Sequence, residues 1–107
     1  MSGIAGIIRL DGASIDQTVV AAMMSGLARC GPDDQSVWVA DNVALLHAAL
    51  HTTPESPNAH QPLTLNGRYW ISADARIDNR DELQRLLSIR GVDLAPGATD
   101  AEYIICC

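Results

Sequence analysis

Three features of the chain predict an α+β fold: apolar or β-branched runs cut by tight turn pairs, two such runs only two residues apart, and stretches of helical periodicity that open on capping residues. Residues 4–10 read as a buried strand, closed by the turn pair Asp11-Gly12. Ser14-Ile15-Asp16-Gln17 fits a capping box, in which the Ser14 hydroxyl accepts from a first-turn amide and Gln17 reaches back. A helix is expected from there to about Leu27, with Val19, Val20, Met23, Met24 and Leu27 on one broad apolar face, and Gly31-Pro32 ends any continuation.

Residues 36–40 and 43–50 are strand-like runs separated by Asp41-Asn42, which predicts an antiparallel hairpin. Residues 51–67 hold Thr, Ser, Asn and the prolines Pro54, Pro57 and Pro62, and read as a long surface loop of the kind that is usually functional or mobile. A further strand is expected over 68–73, with Arg76-Ile77-Asp78 continuing or pairing with it. Asn79 can cap a helix with Glu82 three residues later; Leu83, Leu86, Leu87 and Arg90 run along it to Gly91 as the stop. Thr99-Asp100-Ala101-Glu102 is a second capping box, opening onto Tyr103, Ile104 and Ile105. A helix of about two turns is marginal alone, so the chain reads as the first part of a larger domain.

At 107 residues and 48% hydrophobic content the chain can build a core, and with 4% aromatic residues and no Phe that core is aliphatic and rich in alanine. Thirteen acidic against seven basic residues give a net charge of -6, which opposes binding to nucleic acid or to anionic membrane surfaces. Cys30, Cys106 and Cys107 form neither an even framework nor a CxxC pair, and read as reduced thiols of a cytoplasmic protein. Arg9 and Asp11 interrupt the first apolar run, so it is not a secretory signal, and nothing approaches the ~20 apolar residues of a membrane span. His47 and His51 are four apart, a zinc spacing on a helix, but the strand reading of 43–50 separates them and no metal site is expected. Gly3-Ile4-Ala5-Gly6 lacks the Gly-Lys-Ser/Thr end of a phosphate loop.

Five ordered stretches carry a resemblance to a known family. Met1-Ser2-Gly3-Ile4-Ala5-Gly6 resembles the Met-Cys-Gly-Ile-Ala-Gly start of class II glutamine amidotransferases of the asparagine synthetase type. Arg29-Cys30-Gly31-Pro32-Asp33 is close to a His-Arg-Gly-Pro-Asp loop, and Gln61-Pro62-Leu63 to a Gln-Pro-Met that follows the long loop. Residues 74–83 are similar to an Asn-Gly-Glu-Ile-Tyr-Asn segment leading into a helix, and Thr99-Asp100-Ala101-Glu102 to a Ser-Asp-x-Glu helix start. The resemblance implies an N-terminal-nucleophile (Ntn) hydrolase-like fold: a four-layer αββα sandwich with two antiparallel sheets. Family domains run to roughly 200 residues, so residues 1–107 are expected to form the N-terminal half of a type-2 amidotransferase-like domain, without the synthetase domain that binds ATP and Mg. The partners expected are that synthetase domain and a second copy of the chain meeting exposed sheet edges; this chain itself is expected to hold no cofactor.

In the family, loss of Met frees a cysteine whose thiol attacks the glutamine side-chain amide while its own α-amino group serves as base. Here that position is Ser2, whose hydroxyl carries far less anion at neutral pH than a thiol. The Asn-Gly pair that donates to the oxyanion aligns with Asp74-Ala75, and losing one such donor typically costs ~100- to 1,000-fold. The arginine that holds the substrate carboxylate aligns with Ala49, and the glutamate of Asn-Gly-Glu aligns with Arg76, a reversal of charge. Asp100 alone matches the group that would hold the substrate ammonium. This pattern resembles the degenerate amidotransferase domains of β-lactam synthetases and lasso-peptide cyclases, where an amine already in the substrate attacks an adenylated carboxylate. The expected function is therefore a non-catalytic domain of an ATP-dependent amide-forming ligase, with Ser2 as a vestigial nucleophile. Two alternatives stand beside it: an Ntn amidohydrolase using Ser2, and a glutamine-hydrolysing asparagine synthase in which Ser2 replaces the cysteine.

Overall fold

The apolar run Val43–Ala49, β3, is buried along nearly its whole length because it carries small or aliphatic side chains on both faces. The computed structural model describes residues 2–52 and 60–107. Among them, β1 (Gly3–Ile8), α1 (Gln17–Leu27), β2 (Asp34–Ala40), β3, α2 (Arg80–Ile89) and α3 (Asp100–Cys106) follow in chain order. The strands form one antiparallel sheet in the order β1-β3-β2, with registers running from Gly3 opposite Ala48 to Ile8 opposite Val43, and from Asp34 opposite Ala49 to Ala40 opposite Val43.

The hairpin between β2 and β3 turns on Asp41-Asn42, as its sequence predicts, with Asp41 at φ 47°, a left-handed conformation that Asp and Asn tolerate best after Gly. Its tip also ties down the neighbours. The Arg9 amide donates to the Asn42 carbonyl at 2.8 Å, the Asn42 side-chain amide donates to the Arg9 carbonyl at 2.9 Å, and the Ile15 amide donates to the Asp41 carbonyl at 3.2 Å. That last bond moves the start of α1. The cap is Asp16, whose carboxylate accepts from the Thr18 amide at 2.8 Å, and not Ser14. The Ile15 amide is committed to the Asp41 carbonyl and its side chain is buried in the core, and the helix begins after it.

α1 covers the sheet face that bears Ala44 and Leu46, and with Ile15 and Val20 these make the first core cluster, flanked by Met23, Met24 and Leu27. Val19 lies off that face and stays 41% exposed. Burying an aliphatic side chain the size of Leu46 contributes about 1.5–3 kcal/mol, and Leu46 is fully buried. A second, separate cluster joins the last two helices through Leu87, Ala98 and Tyr103, flanked by Ile77, Leu83, Val92 and Leu94. The expected capping box of α3 is present: Thr99 Oγ1 accepts from the Glu102 amide at 3.4 Å and the Glu102 carboxylate accepts from the Thr99 amide at 2.6 Å. At α2 the Asn79 side chain makes no capping bond; its amide turns to the Glu102-like position of its own turn, donating to Glu82 Oε2 at 3.3 Å. Gly91 ends α2 at φ 81°, the left-handed stop its position predicts.

The strand expected over 68–73 does not form. Only a bridge between Leu63 and Ile71 occurs there, because the partner groups come from side chains: Gln61 Oε1 accepts from the Ala73 amide at 2.7 Å, Gln61 Nε2 donates to the Ala73 carbonyl at 3.2 Å, and Ser72 Oγ donates to the Leu46 carbonyl at 3.0 Å. The described residues therefore form a small α+β unit with one three-stranded sheet and three helices. Residues 53–59 of the long loop expected over 51–67 lie outside the described residues, as does Met1. Cys30, Cys106 and Cys107 are all free thiols, and among the described residues no helix is long and apolar enough to cross a membrane.

Gly31 sits where the chain presses on β3, and a Cβ there would overlap the Ala48 carbonyl and the Ala49 amide. Gly31→Ala is expected to cost about 3 kcal/mol or more in chemical denaturation, because backbone must move to admit it. Gly26, inside α1 with open space around it, is the control: Gly26→Ala should stabilise by about 1 kcal/mol.

Candidate functional site

A cleft of about 800 Å³ opens between the two hydrophobic clusters, and its walls include Ser2, Ala49, Asp74, Ala75, Arg76 and Asp100. Residues from four distant parts of the sequence thus meet in one place. β1 and β3 supply one wall. Ser2 lies one residue before β1, and its Oγ accepts a hydrogen bond from the Leu50 amide, one residue beyond β3, at 3.0 Å. The hydroxyl proton of Ser2 is left to point elsewhere.

The Gly-Pro-Asp loop fixes that end of β3. Gly31 packs on the Ala48 carbonyl, the Asp33 amide donates to the Ala49 carbonyl at 3.0 Å, and the Asp33 carboxylate accepts from the His51 amide at 2.7 Å. The Leu50 amide between these anchors is the one that holds Ser2. Ala49 itself is buried and has no polar side-chain atom to offer a ligand's carboxylate.

The segment after the Gln61 clamp forms the second wall. Asp74 and Ala75 follow directly on Ala73, whose amide and carbonyl are both held by the Gln61 side chain, so the clamp sets where they lie. Arg76 turns outward: it is exposed and its Nε donates to Asp78 Oδ1 at 2.7 Å. His47 is buried on β3 in the same cleft, and burial pushes its imidazole below its ordinary pKa of 6.5, while the Asp74 and Asp34 carboxylates pull it the other way. It lies on a strand and His51 lies past its end, so the two do not share a helical face; among the described residues no group of three or more His, Cys, Asp or Glu is arranged to hold a metal ion.

The helix pair supplies the third wall. Asp100, the first residue of α3, is met by Arg80, the first residue of α2. Arg80 Nη2 and Nε donate to Asp100 Oδ1 at 2.6 and 3.1 Å, Nη1 donates to the Ala98 carbonyl at 3.4 Å, and the guanidinium lies 5.9 Å from the centre of the Tyr103 ring.

The start of the first strand thus brings the Ser2 hydroxyl into a cleft walled by a clamped loop and by a capped helix start. Over residues 1–107 the chain matches the family described as glutamine amidotransferase domain, and it belongs to that family. No curated protein and no solved structure matches it.

Two site residues were hidden in the sequence. Arg80 is one; its signal is a cation at the first position of a helix, where the macrodipole disfavours it, so that a nearby anion is called for. Gln61 is the other, and nothing in its local sequence shows that its amide will clamp a residue 12 positions away.

His47 makes folding depend on pH. Its folded-state pKa is depressed, so the fold favours the neutral imidazole; that stability is fully present above the unfolded value near 6.5 and is lost as pH falls through the window between 6.5 and the lower folded value. The melting temperature should accordingly drop as pH is lowered below about 6.5, and His47→Gln should flatten this part of the profile. Parallel pH profiles of the two proteins would contradict the assignment.

Proposed function

We propose that this chain is a non-catalytic amidotransferase-like domain from an asparagine-synthase-related ligase that forms amides with ATP, of the β-lactam synthetase or lasso-peptide cyclase type. The observation that carries the reading is the make-up of the cleft: Ser2 shares it with Ala49, Asp74, Ala75 and Arg76, where glutamine hydrolysis calls for an arginine, an Asn-Gly pair and a glutamate. Asp74 offers a carboxylate where the tetrahedral intermediate needs a donor, and an anion facing a developing anion raises the barrier. Arg76 is paired with Asp78 at the rim rather than aimed at Ser2. The sandwich with two sheets, of which this sheet would be one, belongs to the same proposal.

ATP and Mg would be bound outside these residues. On this proposal they belong to the synthetase domain of the ligase. The role left to the cleft side of the domain is to support the ligase half by shape.

A second reading keeps Ser2 active. It is favoured by the Leu50 amide, which donates to Ser2 Oγ and would stabilise that oxygen as it loses its proton. On this reading the domain is an amidohydrolase with a substrate other than glutamine, and it requires that Met1 be removed so that the α-amino group can act as base.

Mass spectrometry of the purified chain, followed by an ammonia-release assay with glutamine, separates these readings. Wild type and Ser2→Cys are both expected to stay at background, because the thiol restores only one of several missing parts. Ammonia release by Ser2→Cys would overturn the non-catalytic reading, and retained Met1 would exclude the second.

A further inference from the structure

Arg80 stands where helix electrostatics opposes it. It is the first residue of α2, at the positive end of that helix, and no other residue of the first turn is basic; Asp81 and Glu82 follow it, as the macrodipole favours. What holds it is the other side of the cleft wall. Two of its N–H groups converge on the single oxygen Oδ1 of Asp100, a third reaches the Ala98 carbonyl, and its face rests toward Tyr103, whose hydroxyl is itself anchored by donating to Gln84 Oε1 at 2.8 Å. The two side chains are half-buried, 34% and 23% exposed, which screens them less than a surface pair. A guanidinium fixed on several sides has little rotamer freedom left to lose.

The carboxylate of Asp100 borders the cleft, and an uncompensated carboxylate there would attract any ligand bearing an ammonium group. We infer that Arg80 is a specificity-determining residue: its guanidinium occupies Asp100 as an internal counter-ion, so that the cleft refuses ligands that present a free ammonium at this wall. A free amino acid would have to displace a cation that is tethered to the protein and already in place, and an intramolecular partner wins at equal bond strength because its position costs no translational freedom. The inference rests on the reading of the cleft as one that does not process glutamine, and it gives that reading a second cause besides the changes beside Ser2.

The test uses a probe that needs only Asp100. Glycinamide carries an ammonium and no carboxylate; N-acetylglycinamide lacks the ammonium. With the Asp100 carboxyl followed by carbon NMR, wild type should bind glycinamide only weakly and N-acetylglycinamide not at all. Arg80→Gln should bind glycinamide about 10- to 100-fold more tightly than wild type, the range set by one charge-assisted contact, and should ignore N-acetylglycinamide. Arg80→Lys, which keeps the charge but not the fork, should bind glycinamide less tightly than Arg80→Gln does, and Arg80→Gln with Asp100→Asn should lose the gain. A folded Arg80→Gln that binds glycinamide no better than wild type overturns the inference. Should that variant not fold, the wild-type chain still decides: the Arg80 Nε–H must exchange with solvent more slowly than that of Arg85 and lose its protection in Asp100→Asn, and equal exchange overturns it. Ammonia release from glutamine by wild type would instead sink the non-glutaminase reading while leaving the occupancy of Asp100 measured on its own.

Discussion

β3 is hydrogen-bonded along both edges, to β1 and to β2, and covered on one face by α1, so its seven residues have no freedom to shift register. A slip of one residue would exchange Ala44, Leu46 and Ala48 for Leu45, His47 and Ala49, sending the imidazole into an aliphatic core. Everything on the sheet side of the cleft depends on that constraint. Because Ala48 is fixed, Gly31 can pack against its carbonyl; because Ala49 and His51 are then held by Asp33, the Leu50 amide between them has a fixed direction and meets Ser2. The Gly-Pro-Asp loop is thus explained by geometry alone, as a device that ends β3 at a defined place.

The two clusters divide the labour. The sheet and α1 bury aliphatic surface around Leu46, while α2 and α3 bury theirs around Leu87 and Tyr103, and the segment clamped by Gln61 passes between them. The cleft occupies the seam. A seam between two packed units is where side chains from distant stretches can meet without either unit giving up its core. It is also where charge has to be settled, and the arginines Arg76 and Arg80 are both paired with aspartates of this chain.

How much of this is legible before folding differs from element to element, for physical reasons. The hairpin is legible because Asp41-Asn42 satisfies a local backbone demand, and α3 because Thr99 and Glu102 satisfy each other within one turn. The start of α1 is less so: Ser14 and Asp16 are both good caps, and the choice goes with Asp41, a residue 26 positions beyond Ile15 whose carbonyl accepts from the Ile15 amide. Residues 68–73 read as a strand from their own composition, but a strand needs a partner, and here a side-chain amide, Gln61, takes the partner's place at Ala73. The convergence of Ser2, Ala49, Asp74, Ala75, Arg76 and Asp100 on one cleft follows from the motifs that carry the family resemblance. Arg80 does not, since its meaning lies in a contact 20 residues away across two helices.

That contact bears on what the cleft is for if, as proposed, it carries no glutaminase chemistry. A working site keeps polar groups poised for a ligand and carries the cost of leaving them short of partners in its absence, which is why activity and stability trade against each other. Here the pairing runs the other way. Arg80 and Asp100 spend their charges on each other, Arg76 spends its charge on Asp78, and no buried side-chain nitrogen or oxygen among the described residues lacks a partner. On the proposed reading an amino acid entering at Asp100 would have to displace Arg80 from it. α2 and α3 are joined by Arg80 and Asp100 in addition to their shared apolar cluster, so the pair that closes this wall of the cleft also ties the two helices together.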